Sequence, residues 1–252
     1  MSEALYLTDA YLRRFEAEIV SASRDGVVLD RTAFYPGGGG QPCDTGQLTR
    51  PDGTAVHVSE VRKTPEGIVH VLEGGNDDLA LGRTVGEIDW ARRFAHMRHH
   101  TALHIFSGVV YRRLGSGITG NQIAAERARM DFSLPNFDRS LAEELIEGVN
   151  EVVRQRRPVS VRFLPRDDAL KDPTLVRVAR ELVPDVETVR LIDIEGFDVQ
   201  ADGGTHVANT TEVGTAHLET VENKGSRNKR LYLTLDPVPS DPAHAGRTAP
   251  GP

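Results

Sequence analysis

The hydrophobic period of this chain changes once, abruptly, and that change limits the folds open to it. Up to about residue 90 the sequence is a series of short β-like runs, FEAEIVSAS, GVVLD, TAVHVSEV, GIVHVLE and RTVGEIDW, separated by Gly, Pro and Asp. Such runs predict a small antiparallel barrel or sandwich. The stretch AFYPGGGGQPCDTG at 33–46 is too long for a two-residue hairpin and too glycine-rich for a strand, so it reads as a loop. From Phe94 to Leu114 the spacing is helical, with His99, Leu103, Phe106, Val110 and Leu114 in step and Gly115 closing the run. A second helix is expected after Asp138 as N-cap, carrying Leu141, Leu145, Ile146, Val149 and Val153 and stopping by Pro158. Strands return in SVRFL, ETVRLIDI, GTAHLETV and KRLYLTL.

Segregated helices and strands without regular βαβ alternation point to the α+β class. The reading is an N-terminal small antiparallel β-barrel-like domain with the Gly-rich loop over 1–92, then an α/β two-layer domain with a largely antiparallel sheet over 93–236. The Pro-rich, polar stretch at 237–252 is expected to be a disordered tail. With 252 residues the chain can bury both cores. No apolar run is long enough to cross a membrane, and MSEALYLTDAYLRRF lacks a basic start and an apolar core, so the expectation is a cytoplasmic protein with no membrane partner; the oligomeric state is left open, with a monomer favoured. A net charge of −7 opposes wholesale binding to nucleic acid and gives no reason to expect DNA as a partner, while leaving a local basic patch allowed.

The chemistry is concentrated in two short stretches. In RHHTALH, 98–104, His100 and His104 lie four apart on one helical face and could share a metal ion, with His96 extending the stripe one turn back. A helix face of this kind is also compatible with histidines satisfied in a core. In QADGGTH, 200–206, Asp202 and His206 flank Gly203 and Gly204, which allow a tight fold that turns both side chains to one point. The zinc-protease pattern HExxH is excluded, because Thr101 stands where its general base belongs. With Cys43 the single cysteine, no internal disulfide can form and a metal site depends on His, Asp or Glu.

RHHTALH, QADGGTHV and FYPGGGGQPCDTG, in these positions, resemble the editing domain of alanyl-tRNA synthetases and its free-standing relatives, the AlaX proteins, of which the medium-length type has both the Gly-rich and the metal part. The similarity extends through IEGFDVQADGGTHVANTTEVG and VENKGSRNKRLYL. The resemblance implies a deacylase acting in trans on mischarged tRNA, usually seryl- or glycyl-tRNA of the alanine tRNA. A threonine-like or noncanonical acyl group such as fluorothreonyl is the second substrate class, since relatives dedicated to it exist. His100, His104 and His206 match metal-binding positions of the family. The fourth position has Asp202 where the family has cysteine.

A carboxylate gives zinc less electron density than a thiolate, so the ion should be the stronger Lewis acid, and manganese, iron or cobalt become acceptable alternatives. Asp202 is then either a weak ligand that yields to water or part of a five-coordinate ion. Cys43 lies within the loop expected near the site, and as the lone thiol it is weighed as a replacement ligand; an inert cysteine is the commoner state.

The resemblance further implies roles in catalysis or substrate contact for Gln41, Gly203 and Gly204, the last two through backbone N–H groups facing the oxyanion. Gly38, Gly39, Gly40, Thr101, Leu103 and Thr205 are expected to line the substrate pocket. Leu103 bears on selectivity, because an apolar side chain there offers a seryl group no hydroxyl. Contacts to tRNA are expected from Lys224, Arg227, Lys229 and Arg230, with Arg92, Arg93 and Arg98 beside the metal helix, whereas Arg154, Arg156 and Arg157 read as a solvated helix end. Two other functions compete: a non-catalytic module of the same fold that binds tRNA or an amino acid, and a metal-dependent hydrolase of a small ester or amide.

Overall fold

The structure, a computed structural model, describes residues 2–74, 81–134, 137–171, 175, 186–225 and 228–237. The expected disordered tail falls almost wholly outside them, as does Arg227. The N-terminal runs form strands β1 (Glu3–Ala4), β2 (Arg14–Ser23), β3 (Gly26–Leu29), β4 (Arg31–Thr32), β5 (Gly46–Thr49), β6 (Ala55–Thr64), β7 (Gly67–Leu72) and β8 (Gly82–Ile88). β1 and β4 pair in parallel as a short flap, and the other six close a barrel in the order β2-β3-β7-β6-β5-β8, antiparallel throughout. Alternation fixes the interior: Phe15, Ala17 and Ile19 of β2 point in, joined by Val27, Leu29, Leu48, Val58, Val61, Ile68, Leu72 and Ile88. Phe34 and Tyr35, from the start of the glycine loop, pack into the same core. The loop is therefore anchored at its root by apolar burial.

Helix α1 (Trp90–Leu114) follows the barrel directly. It begins four residues before the expected Phe94, because Asp89, inside a run that reads as strand, caps it: the carboxylate accepts Arg92 N–H at 3.2 Å. Gly115 in the left-handed region ends it, as expected. The expected division at 92/93 falls inside the first turn of this helix.

β9 (Ile118–Ile123) and β10 (Ala128–Ser133) precede α2 (Arg139–Arg154), whose N-cap is Asp138. Then come β11 (Val159–Pro165), β12 (Thr188–Ile194), β13 (Asp198–Ala201), β14 (Ala216–Asn223) and β15 (Asn228–Leu235). The strands divide between two antiparallel sheets, β14-β15-β10-β9 and β11-β12-β13. Helices α1 and α2 pack on the four-stranded sheet over Met97, Phe106, Val110, Met130, Phe132, Leu145, Val149, Leu231 and Leu233. The architecture is α+β, as the period change requires.

α1 is the molecule's central strut, enclosed by barrel, sheets and α2, which is why charged residues on it are buried. Arg93 is fully buried and forms an ion pair with the equally buried Asp44 at the foot of the glycine loop, while its other N–H groups reach Ala10 O at 2.8 Å and Ala33 O at 2.6 Å. Tyr11 closes the seam from the other side: its hydroxyl donates to Glu212 Oε2 and accepts Ala208 N–H.

Candidate metal centre

His100 and His104 project from one face of α1, and Asp202 and His206 from the loop after β13. The four ligand atoms lie within 4.8 Å of one another. The imidazole ring centroids of His100, His104 and His206 are 4.3–5.1 Å apart. Asp202 Oδ2 stands 3.1 Å from His206 Nε2, and Oδ1 stands 3.6 Å from His100 Nε2. The Asp202–imidazole separations suit donors placed about 2.0–2.2 Å from one shared ion, and the 4.8 Å spread would narrow on binding, since two such donors stand at most about 4.4 Å apart.

Three of the four side chains are held from behind. Gln41 Oε1 accepts from His100 Nδ1 at 2.9 Å, which fixes the tautomer and leaves the Nε2 lone pair turned inward. Thr101 Oγ1 accepts Val207 N–H and lies 3.2 Å from His206 Nδ1, a contact that turns the ring so that Nε2 faces Asp202. Asp202 Oδ2 accepts Gly204 N–H at 2.5 Å, and Arg190 grips the Asp202 backbone, with Nη1 donating to its carbonyl at 2.8 Å. Arg190 is buried and also donates to Leu7 O, tying the ligand loop to the N-terminal segment. Only the distance in sequence hid it: ETVRLIDI reads as a plain strand.

The electrostatics agree with a cation site. Burial pushes His100 below the ordinary imidazole value, His104 down to about 4 and His206 well down. For Asp202 burial acts the other way, yet His100, His206 and His104 together hold it well below the usual carboxylate range. At neutral pH the cluster is thus three neutral imidazoles with lone pairs and one carboxylate, the donor set of a divalent transition ion.

The glycine loop lies alongside. Gly37 to Gly40 all have positive φ, a backbone path that favours glycine, and Gly38 and Gln41 bond to each other across a tight turn. A Cβ on Gly39 would stand 3.5 Å from Asp202 Oδ1, and one on Gly204 would meet the His100 ring at 2.3 Å. The second glycine of DGGTH is therefore required by contact with the first histidine of HxxxH. Gly203 is exposed with open space around it.

Several expected roles look different against these contacts. Gln41 is buried, and its amide is spent within the protein: besides His100, Oε1 accepts Thr205 N–H and Nε2 donates to Thr205 Oγ1. Gly204 N–H is committed to Asp202. Thr101 and Thr205 are fully buried as orienting hydroxyls, and Leu103 packs in the main hydrophobic core. Cys43 stands apart from the four-residue cluster; its carbonyl accepts from Arg92 Nε. His96 is buried, and neither ring nitrogen has a hydrogen-bond partner among the described residues.

Among the basic residues considered for tRNA, Arg93 and Arg98 are corrected by their burial: Arg93 serves Asp44, and Arg98 donates to the carbonyls of Glu212, Val213 and Asp236. Lys229 is buried with its ammonium on Gly225 O, Arg230 forms a two-point pair with Asp131, and Lys224 pairs with Glu222 at 2.7 Å.

Comparisons with known proteins bear on the same two regions. Residues 4–92 match the family model of class II (A) tRNA synthetases, and 189–232 match the second additional domain of threonyl- and alanyl-tRNA synthetases. The chain is 42% identical to an alanyl-tRNA editing protein AlaX-M of Saccharolobus solfataricus over 94% of its own length and all of that protein. It is also 42% identical to the AlaX-M protein of Methanosarcina barkeri, over 93% of this chain and 99% of the relative. An alanine–tRNA ligase of Ignicoccus hospitalis matches at 38% over 85% of this chain, which covers 24% of the ligase.

Proposed function

This chain belongs to the AlaX-M family of alanyl-tRNA editing proteins, and from that premise we propose that it hydrolyses the ester of a mischarged tRNA, seryl- or glycyl-tRNA of the alanine tRNA before a threonine-like acyl group. The observation that carries this reading is the convergence of His100, His104, Asp202 and His206 beside the glycine loop. Zinc is the expected ion, with other divalent transition metals admitted by the carboxylate.

A divalent ion held by these four residues would supply Lewis acidity toward the ester. The chain's own residues do the rest. Gln41 and Thr101 act as positioning residues, fixing which nitrogen of His100 and of His206 faces the cluster. Gly204 N–H and Arg190 hold the Asp202 loop so that its carboxylate stays among the imidazoles. The positive-φ glycines let the loop backbone close onto Asn121 and Asp202, and the exposed Gly203, with open space around it, is the place proposed for the approach of a tRNA acceptor end. In the balanced reaction the acyl carbon–ribose oxygen bond breaks, the oxygen of water joins the acyl carbon, and one proton passes to the ribose oxygen. The exposed Lys224 and the half-buried Arg92 and Arg230 are the cations proposed to meet phosphate, with contact weakening as salt rises.

The deciding experiment incubates the purified protein with seryl-, glycyl-, alanyl- and threonyl-tRNA, with and without chelator. Release of serine or glycine that stops on chelation and returns with zinc is the expected result. Binding of these tRNAs without release of any amino acid would establish the non-catalytic module instead. Hydrolysis of free amino-acid esters but of no tRNA ester would favour a small-ester hydrolase.

A further inference from the structure

A polar side chain breaks the pattern of an apolar face right beside the glycine loop. In the pairing of β9 with β10, Ile123 stands opposite Ala128 and Asn121 opposite Met130. Paired residues share a face of the sheet, so Asn121 points to the side where Ala128, Met130 and Phe132 are fully buried. A hydrophobic residue is what the alternation calls for at that position. The amide stands there instead, and local rules tend to be broken where function requires it.

The contacts place Asn121 against the site. Ile123 N–H donates to Gly40 O at 2.8 Å, which draws β9 to the loop. A Cβ on Gly40 would lie 1.6 Å from Asn121 Oδ1, so the glycine and the amide are a matched pair. Gly39, next in the chain, faces Asp202. Asn121 and Asp202 therefore flank adjacent loop residues, within about 10 Å of each other. Asn121 Oδ1 is buried with no hydrogen-bond partner, and the amide makes no hydrogen bond among the described residues. The other polar groups around the cluster are spent on positioning: Gln41 on His100 and Thr205, Thr101 on His206 and Val207, Gly204 N–H on Asp202. Leu103, the position at which a hydroxyl-reading side chain was expected to be missing, is turned into the core.

We propose that Asn121 is a specificity-determining residue that hydrogen-bonds the side-chain hydroxyl of the acyl group, so that seryl esters are preferred to alanyl and glycyl ones. The proposal rests on the editing reading above. An amide has both a donor and an acceptor, and its terminal torsion is soft, so although Oδ1 lies buried against Gly40 a rotation of the amide presents either group to a hydroxyl. The alanyl methyl offers neither partner, which leaves the amide unpaired with the correctly charged tRNA and disfavours its hydrolysis.

The test compares Asn121→Ala and the volume-conserving Asn121→Leu with the wild-type holoenzyme, measuring kcat/KM on seryl-, glycyl- and alanyl-tRNA together with melting temperature and bound zinc. The expected result is a fall of about tenfold on the seryl ester, the worth of one lost hydrogen bond, with glycyl and alanyl rates within about threefold and zinc content unchanged. Asn121→Leu fills the same space on an apolar face, so it remains informative if the alanine variant does not fold. Equal losses on seryl and glycyl esters, or no loss on either, overturn the proposal while leaving the editing reading intact. A wild-type protein that releases no amino acid from any tRNA overturns both.

Discussion

At the scale of single residues, the centre depends on atoms that must be absent as much as on those present. Gly204 leaves no room for a methyl, since its Cβ would press on the His100 ring. Gly204→Ala is expected to displace His100 from the cluster and reduce bound metal to well under one ion per chain, with far-ultraviolet circular dichroism unchanged; full metal content would contradict this account of the glycine. Asp202 is the residue at which this chain departs from the family's cysteine. Asp202→Cys keeps the charge but softens the donor, so zinc should still bind and be preferred over manganese more strongly than in the wild type. Competition titration with the two ions checks it, and an unaltered preference would show that the carboxylate does not set metal choice.

Among the elements, α1 does the most, because it supplies two of the four clustered side chains and is also the beam on which the barrel is mounted. The mounting is the buried pair Arg93–Asp44. Two charges out of water are tolerated here because the guanidinium also meets the carbonyls of Ala10 and Ala33 and the carboxylate also accepts Tyr35 N–H. Removing one partner leaves the other charge stranded, so Arg93→Met should cost about 3–5 kcal/mol in denaturant unfolding. Pairing it with Asp44→Leu should recover much of that loss, by the same principle. A double variant as unstable as the single one would mean that the bonds to Ala10 and Ala33, not the ion pair, secure the joint. The same joint sets the loop: Asp44 is three residues past Gln41, so slack at Arg93 should reach the His100 tautomer and lower activity before global unfolding.

For the whole molecule, buried neutral imidazoles set the response to acid. Burial lowers His70, in the barrel core, to about 4, and lowers His96 and His104, on α1, to about 4 as well. Unfolding returns each to about 6.5, so between these values the unfolded chain binds more protons and stability falls as pH falls. The metal-free protein should therefore lose stability from about pH 6.5 down to about 4 and show little dependence above that window. His70 is not part of the four-residue cluster; it lies in the barrel against Phe34, bonded to Thr32 Oγ1 at 2.8 Å, and His70→Phe should flatten part of the slope; an unchanged slope would place the acid sensitivity elsewhere. Bound metal stabilises the folded form by mass action, so chelator should lower the melting temperature.

The sequence by itself determined what depends on neighbours along the chain: the strand-rich first third, α1 with its stop at Gly115, the loop at 33–46, and the two pairs of residues that meet in the cluster, one at helical spacing and one across a glycine pair. It did not reveal β9 or β10, short and polar at alternate positions, nor the early start of α1. The tertiary structure alone decided which polar groups were already spent. Gln41 meets His100 across 59 positions and Thr205 across 164, and Arg93, Arg98 and Lys229, cations that a sequence places at the surface, are buried. Charge and spacing are local properties of a chain, whereas burial and hydrogen-bond partnership arise only when distant segments exclude water from one another.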